Sequence, residues 1–125
     1  MPHKRFVILV ILSLTLACAK TPPNLTPEAN LAFKATQAVK ALDALRDVAI
    51  AANDQHPPLL STDVTRKVVT YHQSMVKIIQ ASTVGWAPLV QTGLDETLKD
   101  LSPHDRQLLA PYAALIKTVI SQVTP

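Results

Sequence analysis

Residues Ser61–Ser82 read STDVTRKVVTYHQSMVKIIQAS, and the fold follows from how their apolar positions recur. Val64, Val68, Tyr71, Met75, Ile78 and Ser82 alternate at spacings of four and three, which sets them on one side of a helix. Val69, Val76 and Ile79 widen that side, and Arg66, Thr70, Gln73, Lys77 and Gln80 form the opposite polar face. Ser61-Thr62-Asp63 supplies a hydroxyl cap and an acid at the start, and the helix is expected to end near Ser82–Gly85. A helix with one apolar side needs partners, so the flanking sequence must supply more helices.

Upstream, Thr26-Pro27-Glu28 is a helix start, with a hydroxyl cap, proline at the first helical position and an acid in the first turn. A run without Gly or Pro continues to about Asn53, and Asn53–Pro58 ends it. Leu31, Ala35, Ala38, Leu42, Leu45, Ala49 and Ala52 form its stripe, with Lys34, Gln37, Lys40, Asp43 and Asp47 on other faces. Nine alanines between positions 29 and 52 predict close approach by a neighbouring helix.

Downstream, Trp86-Ala87-Pro88 opens a shorter helix expected to reach about Leu101. Val90, Leu94, Leu98 and Leu101 face inward and Gln91, Asp95, Glu96 and Lys99 outward. Ser102-Pro103-His104-Asp105 starts the last helix. Its stripe is Leu108, Tyr112, Leu115, Val119 and Val123, flanked by Leu109, Ile116 and Ile120. Lys117 is its only charge after Arg106, which predicts a central position, and Pro111 should kink or break it near Leu109–Ala110. With no alternating strand pattern between hairpin turns, the fold class is all-α: a small bundle of about four amphipathic helices over residues 26–125.

The N-terminal segment has a different character. Met1–Arg5 is short and basic, Phe6–Leu16 is apolar, and Ala17-Cys18-Ala19 is a small-residue site: the order of a secretory signal. The uncharged stretch from 6 to 19 spans roughly 21 Å as a helix, against a hydrocarbon core of about 30 Å. Its end resembles the lipobox of bacterial lipoprotein precursors, with Ala17 at the small position and Cys18 at the lipid acceptor. Thr15 departs from that pattern, where a branched apolar residue is usual, and Leu14 and Leu16 flank it. The resemblance implies diacylation of the Cys18 thiol, cleavage before it and acylation of the new amine. It leaves residues 1–17 as signal peptide and 18–25 as lipidated cysteine and tether. The paired prolines of the tether make it a spacer of about 20 Å. Ala19 does not resemble an inner-membrane retention signal, which points to the outer membrane in a host with two. The alternative is an ordinary cut before Lys20 and a soluble secreted protein.

The whole chain has 125 residues, 48% of them hydrophobic, and a formal charge of +3. Export removes Lys4 and Arg5 and leaves ten basic residues against nine acidic ones. No basic cluster remains, so a nucleic-acid partner is not expected. One cysteine excludes a disulfide framework.

His56, His72 and His104 fall in no metal- or haem-binding motif and read as solvent-facing or locally bonded. Asp95, Glu96 and Asp100 read as a solvated helix face. Neither Gly85 nor Gly93 flanks a nucleophilic serine. No catalytic, cofactor or metal residue is therefore assigned, and no enzyme is expected. Trp86 is either a corner residue plugging the bundle end or a contact for a partner or the nearby membrane. Tyr71 and Tyr112 read as core residues whose hydroxyls reach the edge. Two functions fit: a membrane-anchored, non-enzymatic module contacting an envelope protein or the cell wall, or a binder of a small apolar ligand. The second needs a void beside Pro111, Tyr112, Leu42 and Leu45.

Overall fold

The computed structural model describes residues 26–82 and 85–123, and among them four helices: α1 Pro27–Asn53, α2 Thr62–Ala81, α3 Trp86–Leu98 and α4 Pro103–Val123. Three of the four starts are hydroxyl caps foreseen from the sequence. Thr26 Oγ1 accepts from the Ala29 amide at 3.1 Å, Ser61 Oγ from Val64 at 3.2 Å and Ser102 Oγ from Asp105 at 3.2 Å. α3 starts differently. Gly85 precedes it at φ +87°, a left-handed conformation that glycine adopts without steric cost, and no side chain caps it.

α1 packs on α2 and α4, and α3 packs on α2 and α4, while the two diagonal pairs make no close backbone contact among the described residues. The bundle is therefore a ring of four with one shared core. This corrects the expectation that α4 is central: each helix has two neighbours. The scarcity of charge on α4 serves its two contact faces instead. α1 likewise buries two faces. Ala41, Ala44 and Val48 are buried beside the predicted stripe, and so is Gln37, expected on a polar face. Leu31 and Ala35 of that stripe are only half-buried. At about 1.5 Å per residue α1 is about 40 Å long, and its neighbours are about 30 Å. Its first turns consequently extend past them.

One further boundary moved. α3 ends at Leu98 rather than Leu101, because the Arg106 guanidinium caps its last carbonyls, donating to Leu98 O at 3.2 Å and also to Lys99 O. Leu101 is still buried, delivered to the core by the turn. Pro111 lies inside α4, yet the helix continues on both sides of it. The proline removes one backbone donor but does not break the helix, because buried Leu109, Tyr112, Ala113 and Ile116 hold both halves against the core.

The linkers are tied by side chains. Asn53 Nδ2 donates to Leu60 O at 3.0 Å, joining the end of α1 to the start of α2. At the opposite end of the bundle Lys34 Nζ donates to Gln122 O at 2.7 Å, joining the start of α1 to the end of α4. α1 and α4 are thus antiparallel neighbours.

Candidate functional site

Cys18, the assigned lipid acceptor, lies outside the described residues, as does the tether up to Leu25. The chain enters the bundle at Thr26, the cap of α1.

Trp86 is only 1% exposed and is the largest fully buried side chain. It is the plug of the bundle end and presents no surface to a membrane or partner, which corrects that reading. The exposed large apolar side chains among the described residues are Ile50 and Leu89. They stand on the diagonally opposed helices α1 and α3 and form no common patch.

The histidines separate. His56 is an exposed loop residue, and His104 is exposed with Nδ1 3.3 Å from Asp105. His72 differs from expectation: it is buried, 7% exposed, and bonded across the α1–α2 seam. Its Nε2 lies 2.6 Å from Asp43 Oδ1. A carboxylate only accepts, so Nε2 carries the proton and donates. Arg46 Nη1 lies 3.4 Å from the same Nε2, a cation beside the pair, and its guanidinium bonds Asp47 at 3.0 Å. His72 Nδ1 is buried and has no partner among the described residues. With one nitrogen committed to Asp43 and the other shut inside, the ring cannot reach a substrate at the surface. It works as a clamp between helices. The sequence signal was present but weak: residue 72 adjoins the apolar positions 68, 71 and 75 on the side of α2 that meets α1.

Both tyrosines are core residues, as expected, but their hydroxyls behave differently. Tyr71 donates to Val90 O of α3 at 2.8 Å. Burial, and secondarily the Asp95 carboxylate, hold its phenol well above the usual range. Tyr112 is fully buried, its hydroxyl finds no partner among the described residues, and burial pushes its pKa up to about 12. Its hydroxyl therefore does not reach the edge.

The surroundings of Leu42, Leu45 and Tyr112 are closed, each side chain having 0% exposure. A recess lies elsewhere, a groove of about 580 Å³ between α2 and α3. Gly93 opens it: a Cβ there would stand 2.9 Å from Tyr71 Cε1 and 3.3 Å from Met75 Cε. Arg66 and Lys67 rim one side, and Glu96 and Asp100 the other. These acids remain solvated, as read from the sequence, and Thr70, Tyr71 and Ser74 line the groove beside them. A smaller recess of about 270 Å³ separates α1 from α2 at Ala35, Val39 and Ile79. Sequence reasoning missed the groove, because Gly93 marks a crossing only once the register of α2 against α3 is known.

No described helix is long and apolar enough to cross a membrane, and the described residues hold no group of three or more His, Cys, Asp or Glu that could bind a metal ion. No family model, curated protein or solved structure matches this chain.

Proposed function

We propose that the protein is an exported bacterial lipoprotein, acylated at Cys18, whose helical bundle is displayed at the membrane as a non-enzymatic interaction module. The observation that carries this reading is the order of the first 26 residues. A basic start, an apolar run and Ala17-Cys18 lead through a seven-residue tether to Thr26, which caps the first helix of the bundle. Two or three acyl chains suffice for stable attachment, because each buried methylene contributes roughly 0.8 kcal/mol and one chain alone binds marginally. In a host with two membranes, the outer one is the proposed destination. The partner is an envelope protein or the cell wall, met through the polar outer faces of the helices. The apolar-ligand reading loses support at its expected chamber, since Leu42, Leu45 and Tyr112 each have no exposed surface.

Intact mass of the chain from the membrane fraction tests the anchor. A mature chain beginning at Cys18 with added acyl mass is expected, and Cys18→Ser should abolish both the mass and the membrane association. A soluble product beginning at Lys20 would overturn the reading.

A further inference from the structure

The charges of the bundle are segregated along its axis, although its net charge is close to zero. Four contacts fix the register: Lys34 with Gln122, Asp43 with His72, Tyr71 with Val90, and Arg106 with Leu98. The Asp43–His72 level serves as the mid-plane. Toward the start of α1 lie Lys34 and Lys40 on α1 and Lys77 on α2. Lys117 on α4 joins them, five residues before Gln122 and so about 7–8 Å lower than it. The one acidic side chain in this half among the described residues is Glu28. The other half, with the mid-plane, holds the remaining eight acids, among them Asp47, Asp63, Glu96 and Asp100, against five basic side chains. One half therefore carries about +3 and the other about −3.

The four lysines are also available. Lys40, Lys77 and Lys117 are exposed and make no ion pair among the described residues, and Lys34 is bonded only to a backbone carbonyl. In the acidic half, by contrast, Arg46, Arg66 and Lys99 are matched with Asp47, Asp63 and Glu96. Lys40, Lys77 and Lys117 sit on three different helices, so they ring the bundle rather than forming a stripe on one side.

We propose that this polarity orients the bundle on an anionic phospholipid bilayer, with the start of α1 toward the lipid and the acidic half away from it. The inference rests on the anchored reading above, because the tether joins the bundle at this basic end. A basic residue close to an anionic surface contributes about 1 kcal/mol, and the effect decays within a Debye length of about 10 Å at 0.1 M salt. At about 1.5 Å per residue Lys34 and Lys40 stand about 10 and 20 Å along α1 from its start, so the four lysines are too few and too deep to hold a free protein, and they bias a tethered one at low salt, where the Debye length grows to about 30 Å at 0.01 M. Repulsion of the acidic half adds to the same torque.

The chain carries one cysteine and one tryptophan, which together provide the assay. The chain from Cys18 onward is coupled through that thiol to a maleimide-bearing lipid, so attachment does not depend on natural acylation. Failure of the anchor reading would appear in the mass measurement, and failure of orientation only here. Energy transfer is measured from Trp86, in the basic half, to a dansyl acceptor on the lipid headgroups. In vesicles with about one-third anionic lipid at about 0.02 M salt, transfer should exceed that in zwitterionic vesicles by about twofold, and about 0.5 M salt should remove the difference. The variant carrying Lys40→Glu, Lys77→Glu and Lys117→Glu, checked for helicity, should show no excess. Equal transfer in both vesicle types at low salt, an excess that survives high salt, or a charge-reversed variant matching the parent would each overturn the proposal. The salt and lipid comparisons need no variant at all.

Discussion

Replacing each tyrosine by phenylalanine should move stability in opposite directions. Both side chains are buried, at 5% exposure for Tyr71 and 0% for Tyr112, so each substitution removes one oxygen from the core. The Tyr71 hydroxyl donates to Val90 O at 2.8 Å. That carbonyl also accepts within α3, so it is not orphaned when the phenol leaves, and Tyr71→Phe should cost about 0.5–1.5 kcal/mol. The Tyr112 hydroxyl has no partner among the described residues, and a buried unsatisfied donor costs about 1–3 kcal/mol. Tyr112→Phe should therefore stabilise the bundle by about 1 kcal/mol after allowing for the small gap left behind. Thermal unfolding followed by circular dichroism should show this as a rise of about 4–8 °C, and a fall of similar size for Tyr71→Phe. Both variants should gain on the parent in alkali, so that the rise for Tyr112→Phe grows and the fall for Tyr71→Phe shrinks. Both phenols have raised values in the folded chain, that of Tyr112 about 12, and an unfolded tyrosine ionises near 10. Their contribution is therefore complete below pH 10 and is lost as pH rises from there through the folded values. Each tyrosine steepens the loss by up to about 1.4 kcal/mol per pH unit, and phenylalanine removes its share. A loss of stability for Tyr112→Phe at neutral pH would refute the reasoning, since the hydroxyl would then be satisfied in solution.

Substitutions at three other positions probe the packing. Gly93→Ala should destabilise by about 1 kcal/mol, because overpacking outweighs the helix-propensity gain of about 1 kcal/mol. The obstructing Tyr71 ring, 2.9 Å from the new methyl, is pinned by its hydroxyl, so chemical denaturation should show a smaller cost in a Tyr71→Phe background. Asp43→Ala should cost about 1–3 kcal/mol by removing the acceptor of buried His72 Nε2, whereas Asp43→Asn keeps an acceptor and should recover most of the loss on urea titration. Pro111→Ala should raise the melting temperature, since the restored amide can donate along α4 and contributes about 1 kcal/mol or more.

The helices were legible because their signals are local. Thr26, Ser61 and Ser102 cap the starts they mark, since a hydroxyl three residues from an amide needs no other part of the chain. What the sequence concealed depends on neighbours. A stripe gives the side of one helix that is buried, but not whether one helix or two cover it. Gln37 is buried for that reason: α1 is flanked on both sides, and its alanines leave room for close approach by each. The same limit explains the end of α3, where Arg106 comes from the following helix to cap the final carbonyls.

The candidate sites show where local reading stops. His72 and Gly93 have plain surroundings in sequence, and each gains its role only when α2 meets α1 and α3. Charge is the converse case. Among the described residues nine basic side chains balance nine acidic ones, a sum of zero. Yet a zero sum says nothing of where along the bundle the charges stand. Lys34 and Lys40 precede the mid-plane of α1, while Lys77 and Lys117 follow the mid-planes of α2 and α4. Antiparallel packing brings these early and late positions to one end. A polarity invisible along the chain thus becomes an axial property of the fold, with its basic end at the start of α1.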